Sequence, residues 1–252
     1  MKMSLLEMVQ DILNDMDSDE VNSIDDTAEA SQVSQIIKSC YMEWMSNREW
    51  KHLKRLIPLE HSGTPERPTH ILLPENVKEL IYFAYENTRQ EGTDAYDMRE
   101  VQYRYPDEFL RLTSNRSQHT QNVQTVTDFG GTRFVVRTNA APSYWTSFDD
   151  KYLVCDSYDM GMDDALKASR TQAMAVVMPK WVHEDAAIPD LPAEAFAGLL
   201  AEAKSTAFFS LKQMVNEKAE QKAARQQRWL SRKNGRAHNG VRYPNYGRRS
   251  AK

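Results

Sequence analysis

The sequence predicts an α+β protein, with a helical bundle formed by both chain ends, an inserted β-rich domain and an extended C-terminal tail. Helical periodicity runs through the first 55 residues or so and returns after about residue 188, whereas short, proline-interrupted β-rich runs lie between. We therefore expect residues 1–55 and 188–234 to form a discontinuous bundle, residues 56–187 an inserted β-rich domain, and residues 235–252 a basic extended tail.

The N-terminal segment predicts two amphipathic helices. Ser4 stands three residues before Glu7, which is the spacing of a capping box, and the second helix is expected to start near Asp26 or Thr27. Apolar residues recur at helical spacing in both segments: Leu5, Met8, Val9, Ile12, Leu13 and Met16, then Val33, Ile36, Ile37, Cys40, Tyr41 and Trp44. Neither helix is expected to be stable alone, so both must pack on other parts of the protein.

The middle of the chain predicts strands. Prolines at 58, 65, 68, 74, 106, 142 and 179 prevent long helices, and the β-rich runs are "HILL", "LIYFAY", "VQTVT", "RFVVRT", "YLVCDSY" and "AMAVVM". Gly130 and Gly131 suit the turn of a hairpin, since glycine adopts positive φ readily. A second hairpin is expected in "WTSFDDKYLVC" and one short helix around "DEFLRLTSN". The strand order does not follow from the sequence.

Helices return near the C-terminus. Pro192 suits a first helical turn, and an apolar stripe follows at Phe196, Leu199, Leu200, Ala203, Ala207, Phe208, Leu211 and Met214. The next stretch, "EKAEQKAARQQRWLSRK", is rich in helix formers but holds few apolar residues. From Gly235 onward the turn signals and lack of periodicity predict the extended tail.

Charge is distributed unevenly along the chain. The formal net charge is −4, yet residues 211–252 hold twelve Lys or Arg against two Glu, so this segment is +10 and the remainder −14. A basic end on an acidic body predicts an acidic partner surface. No apolar run is long enough to span a bilayer, so no membrane association is expected. Cys40 and Cys155 are expected to be buried thiols in a reducing compartment.

No residue pattern predicts an enzyme, a cofactor or a resident metal. The histidines at 52, 61, 70, 119, 183 and 238 lack metal-ligand spacing, and no glycine-rich loop follows a strand. His183 lies beside Glu184 and Asp185, and a lone histidine next to two acids on a surface loop is expected to have no catalytic role. We therefore expect neither a catalytic site nor a metal site.

The stretch "DMDSDEVNSIDD", residues 15–26, carries oxygen side chains near the positions of a calcium loop. However, Glu20 occupies the position that nearly always holds glycine, and Asp26 the position of the bidentate glutamate. The favoured interpretation is an acidic turn before a helix, where carboxylates favour the positive end of the helix dipole. A calcium-binding helix–loop–helix module is kept as an alternative.

Sequence segments at both chain ends resemble those of the tail tubular protein A-like head–tail adaptors, or connectors, of short-tailed bacteriophages. They are "LLEMVQDILNDMDSDEVNSIDDTAEASQVSQIIKSCYMEWMSNREWKHL", "LPAEAFAGLLAEAKSTAFFSLKQ", "AEQKAARQQRWLSRK" and "RYPNYGR", with "YWTSFDDKYLVCDSYD" in the middle. The resemblance covers about half of the chain and includes no catalytic signature.

The resemblance implies a structural virion protein at the head–tail interface of the tail, which is in the host cytoplasm during assembly. It implies a ring of twelve copies beneath the portal protein, the next tail component (nozzle or tail tube protein) on its other side, and genomic DNA passing through the channel. The C-terminal segment would bind the portal.

Portal binding is assigned to the basic and aromatic residues near the C-terminus, because Arg and aromatic side chains anchor interfaces most often. They are Trp229, Arg232, Lys233, Arg242, Tyr243, Tyr246, Arg248 and Arg249. A solvated basic end is the alternative for the tail, and a core or intersubunit position is the alternative for Trp229. A nucleic-acid-binding protein whose basic tail contacts phosphate is the main rival function.

Overall fold

The computed structural model describes residues 2–47, 50–59, 61–87, 97–116 and 121–236. Within these residues the protein has five α-helices and ten strands in three sheets, which confirms the α+β class. It divides into two compact units, Met1–His52 with Pro179–Lys252 and Leu53–Met178, whereas the expected boundaries lay after residues 55 and 187.

The helices are α1 (Leu5–Asp15), α2 (Ala28–Asn47), α3 (Pro106–Ser114), α4 (Phe196–Lys212) and α5 (Glu217–Arg236). The strands are β1 (Lys54–Ile57), β2 (His70–Leu72), β3 (Val77–Glu86), β4 (Met98–Glu100), β5 (Gln102–Tyr103), β6 (Val123–Thr127), β7 (Arg133–Arg137), β8 (Tyr144–Thr146), β9 (Tyr152–Cys155) and β10 (Thr171–Val177). Helix α5 continues through Arg236, so the first two residues of the expected tail are helical, and residues 237–252 lie outside the described part of the chain.

The first unit consists of helices from both chain ends. Ser4 and Glu7 form the predicted capping box, with Ser4 N–H donating to Glu7 Oε2 at 2.8 Å and Glu7 N–H donating to Ser4 Oγ at 3.2 Å. The predicted apolar stripe of α1 is buried. Helix α4 contacts α1, α2 and α5, and α1 also contacts α2. The bundle arrangement of these helices stays a prediction.

Helices α4 and α5 approach closely at Gly198. A Cβ atom at this position would lie 2.6 Å from Cη2 of Trp44 and 3.2 Å from Cβ of Gln226. Both distances are shorter than van der Waals contact, so glycine is the residue that permits this packing. This role of Gly198 could not be predicted from a local pattern, because the contact joins residues from three different helices.

The second unit contains two four-stranded sheets and a hairpin. The strand orders are β1-β10-β3-β4 and β2-β9-β8-β5, and β6 pairs with β7. The β6–β7 hairpin is the predicted one, and its Gly131 has φ +80°. Strands β8 and β9 form the second predicted hairpin, and α3 is the predicted short helix. Buried apolar residues from both four-stranded sheets form one core, in which Phe83 and Trp145 meet edge to face.

Candidate protein-interaction surface on helix α5

Helix α5 is held in the first unit by one apolar face. At its start, Asn216 Oδ1 accepts a hydrogen bond from Ala219 N–H at 3.0 Å, as a capping side chain does. Ala219, Ala223 and Leu230 are buried, although most of the surrounding residues of the helix are charged or polar. Gln227 Nε2 donates to Glu202 Oε2 of α4 at 2.8 Å. This face fixes the side of α5 that is presented to solvent.

The solvent side of α5 carries a row of cations with one tryptophan. At 100° per residue, the members of this row lie within roughly 40° of one line along the helix, and the row is roughly 21 Å long at 1.5 Å per residue. All of its members are exposed, and Trp229 is 47% exposed. We call this row the α5 stripe: Lys218, Lys222, Arg225, Trp229 and Arg232.

The cations of the α5 stripe have no ion-pair partner among the described residues. The acids of α5, Glu217 and Glu220, occupy the first turn on other sides of the helix. Four positive charges therefore face solvent over a few helical turns without a local counter-charge. Such a surface attracts carboxylates or phosphates, and an exposed tryptophan among the cations is the type of side chain that anchors interfaces.

Two of the predicted portal-binding residues, Trp229 and Arg232, lie on the α5 stripe. Lys233 is within α5, but its side chain is outside the description, and Arg242, Tyr243, Tyr246, Arg248 and Arg249 lie outside the described residues. The sequence reasoning missed Lys218, Lys222 and Arg225. The members of the stripe follow one another at successive steps of four, three, four and three residues, and this helical spacing was a signal that could have identified the missed cations.

The acidic stretch 15–26 uses several carboxylates within the protein. Asp15 Oδ2 lies 2.5 Å from Nζ of Lys204, and Asp26 Oδ2 accepts hydrogen bonds from the N–H groups of Asn22 and Ser23. Asp17 takes a left-handed conformation at φ 53°. In the part of the chain that the structure describes, no group of three or more His, Cys, Asp or Glu residues is arranged to hold a metal ion. The carboxylates that have partners thus stabilise the turn and its helices.

The thiols and His183 show no arrangement for catalysis. Burial raises the pKa of Cys40 to about 11, despite a weak contact with Thr206 Oγ1, and burial also raises the pKa of Cys155 well above its usual value. Thiols with raised pKa values are poor nucleophiles at neutral pH. His183 lies 3.9 Å from the exposed Asp25. That the protein is not an enzyme stays a prediction.

No model of a known protein family matches the chain, and no curated protein matches it. Among the described residues, no helix combines the length and the apolar character that a bilayer crossing requires.

Proposed function

We propose that the protein is a head–tail adaptor of a short-tailed bacteriophage, a structural virion protein that binds the portal through its C-terminal end. The α5 stripe carries this proposal. It is an exposed cationic face with an aromatic residue, and it leads along the chain into the basic residues 237–252. The assembly partners, namely the portal protein, the next tail component, eleven further copies in a ring and the DNA in the channel, follow from the family resemblance.

The α5 stripe supports protein binding because helix α5 is held in place by its apolar face, whereas the cations of the stripe have no ion-pair partner among the described residues. The apolar face of α5 is already buried on α4, so the stripe is presented on an ordered element rather than on a free chain. A rigid surface loses less entropy on binding than a disordered one. The basic segment that follows can add contacts around an acidic partner, and repetition around a ring multiplies weak attachments.

The proposal predicts that charge reversal on the α5 stripe weakens portal binding. The test is sedimentation of the full chain with purified portal rings from the phage that encodes it. We expect Lys222→Glu/Arg225→Glu/Arg232→Glu to weaken binding by about tenfold or more, because three charges become repulsive toward an acidic surface. Truncation after Arg236 is expected to reduce binding further.

The matched control places the same kind of charge change on another exposed surface. Arg133→Glu/Arg137→Glu alters exposed cations of β7 in the second unit and should leave portal binding unchanged. Circular dichroism of each variant checks that the fold is kept. Wild-type protein that does not sediment with portal rings, or equal losses in the stripe and control variants, would contradict the proposal.

The α5 stripe also favours one rival, direct binding of nucleic acid. Cations on one helix face can neutralise phosphates, and a tryptophan can stack on an unpaired base. The same variants should then be tested with duplex and single-stranded DNA. If the protein is a nucleic-acid-binding protein, wild-type affinity falls steeply with salt and the stripe variant has a shallower salt slope. On the adaptor proposal, DNA affinity stays low and portal binding is the property lost.

A further inference from the structure

A cavity of about 370 Å³ lies between the two four-stranded sheets of the second unit. Its lining comes mainly from β3 of one sheet, from β5 and β8 of the other, and from the turn between β8 and β9. The register of β3 against β10 skips Lys78 and Ile81, and bulges of this kind bend a strand and redirect its side chains. The volume is within the range of about 300–1,000 Å³ that is typical of small-molecule sites.

Two aromatic rings line the cavity at a steep angle to each other. The ring centroids of Tyr103 and Trp145 lie 4.8 Å apart, and the ring planes meet at 62°. Trp145 is buried and contacts Phe83 of the core edge to face, whereas Tyr103 is 47% exposed. The core thus holds one ring in place, and the other can be reached from solvent. Aromatic rings arranged around a small space are a common means of binding organic cations.

Two carboxylates line the same cavity. Glu79 on β3 and Asp150 in the turn are both exposed, and among the described lining residues they face one cation, Lys78. These three groups together carry a net negative charge. The pKa of Tyr103 is raised, first by burial and then by the charges of Tyr105 and Asp150, so Asp150 is close enough to act on the Tyr103 phenol.

Asp150 is held in position by its turn. Asp149 Oδ1 accepts hydrogen bonds from the N–H groups of Lys151 and Tyr152, each at 3.0 Å. Lys151 C=O accepts a hydrogen bond from Leu73 N–H at 2.9 Å, which ties the turn to the chain after β2. Asp150 itself has φ 57°, a conformation that aspartate tolerates better than most residues. Its carboxylate therefore belongs to an ordered turn, which reduces the entropy lost on binding.

The lining as a whole favours one class of ligand. An anion would be repelled by the net negative charge, and a neutral apolar ligand would gain nothing from the carboxylates. An organic ammonium ion gains from both features, because its charge is attracted to aromatic rings as well as to carboxylates. Its hydrocarbon part can also contact Leu80, which lines the cavity and packs on the core of the unit.

We propose that this cavity binds an organic ammonium ion. The ammonium group lies between the rings of Tyr103 and Trp145, and Glu79 and Asp150 supply the counter-charge. Two sources provide this chemistry, namely a free alkylamine such as a polyamine and the lysine side chain of another protein. This inference goes beyond the adaptor proposal and does not depend on it.

The first experiment compares a cation with a neutral molecule of the same shape. The full chain is titrated with choline and with its isostere, in which a tert-butyl group replaces the trimethylammonium group, and binding is followed by NMR. We expect saturable shifts of the Trp145 indole N–H and the Tyr103 amide with choline, and binding about tenfold weaker for the isostere. Equal affinities would indicate an apolar cavity only, and either this result or the absence of saturable shifts would overturn the proposal.

Variants of the full chain locate the choline site. Tyr103→Phe keeps the aromatic ring and should keep the affinity, whereas Tyr103→Leu should weaken binding about fivefold. Glu79→Gln/Asp150→Asn should weaken it about tenfold, because both counter-charges are removed. The control is Glu100→Gln, which removes an exposed carboxylate of β4 that is not among the lining residues. Circular dichroism checks the fold of each variant. Wild-type affinity in Tyr103→Leu, or an equal loss in Glu100→Gln, would refute the assignment.

A last comparison distinguishes the two sources of the ammonium group. The full chain is titrated with spermidine and with a lysine that is acetylated at its amino group and amidated at its carboxyl group. Tighter binding of spermidine identifies a free polyamine as the ligand, and tighter binding of the blocked lysine identifies a side chain of a partner protein. Binding of both that is no tighter than that of the neutral isostere would contradict the proposal.

Discussion

At the scale of single residues, His70 and Asp128 form a polar pair inside the second unit. His70 Nε2 lies 3.1 Å from Asp128 Oδ1, and both side chains are buried. Burial lowers the pKa of His70 below its ordinary 6.5, although the hydrogen bond and the charge of Asp128 oppose this shift. Arg67 lowers the pKa further and Asp149 raises it slightly. The neutral imidazole therefore donates its Nε2–H to the carboxylate.

The lowered pKa of His70 predicts a pH-dependent stability. Below about pH 6.5 the unfolded chain binds a proton at His70 that the folded protein does not bind, so the free energy of unfolding falls as pH decreases. The slope from one proton is at most about 1.4 kcal/mol per pH unit. Urea unfolding between about pH 5.5 and 7.5 measures it.

The control for this pH dependence uses two histidines. His70→Gln keeps a donor for Asp128 but cannot titrate, so its stability should change less over the same pH range than that of the wild type. His183→Gln alters a histidine that is only partly buried, and it should keep the wild-type slope. A wild-type slope in His70→Gln would show that other groups cause the pH dependence.

At the scale of elements, Lys204 links α4 to α1. Its Nζ lies 2.8 Å from Asp11 Oδ2 and 2.5 Å from Asp15 Oδ2, and its side chain is 16% exposed. Burial alone would lower the pKa of Lys204, but the hydrogen bonds and charges of the two carboxylates raise it. The lysine is thus charged at neutral pH, and it holds two helices that are far apart in sequence.

Removing the positive charge of Lys204 is expected to lower the free energy of unfolding measurably. Lys204→Met should lower the free energy of unfolding by about 1–2 kcal/mol, because two partly exposed carboxylates then lose their donor. The triple variant Lys204→Met/Asp11→Asn/Asp15→Asn should recover part of the loss, since the repelling charges are gone. Lys222→Met on the exposed α5 stripe is the control and should change stability by less than about 0.5 kcal/mol. Urea denaturation compares all three, and an equal loss in the control would contradict the role of the linkage.

Elements with local signals could be predicted from the sequence, and their tertiary neighbours could not. Ser4 and Glu7 predicted the start of α1, and Gly130–Gly131 predicted the β6–β7 turn, because both signals act within a few residues. The order of the strands in the second unit depends on pairing between segments that are distant in sequence, which no local pattern encodes. Three of the five α5 stripe residues escaped prediction although their spacing was visible, since a row of cations on a helix is also typical of an ordinary solvated face.

At the scale of the whole molecule, each of the two units has its own buried core. In the first, the core includes Leu5, Ile12 and Ala203 from both chain ends; in the second, Phe83 and Phe134 come from different sheets. A unit with its own hydrophobic core can unfold as a cooperative element.

Two separate cores predict two thermal transitions. The Lys204→Met variant and a decrease in pH should each identify the transition of one unit. In differential scanning calorimetry at neutral pH, Lys204→Met should lower the midpoint of the transition of the helical unit and leave the other in place. Lowering the pH from about 7.5 to 5.5 should lower the transition of the β-rich unit more in the wild type than in His70→Gln, because only the wild type binds the extra proton on unfolding there. A single transition that both perturbations move together would show that the two cores unfold as one cooperative structure.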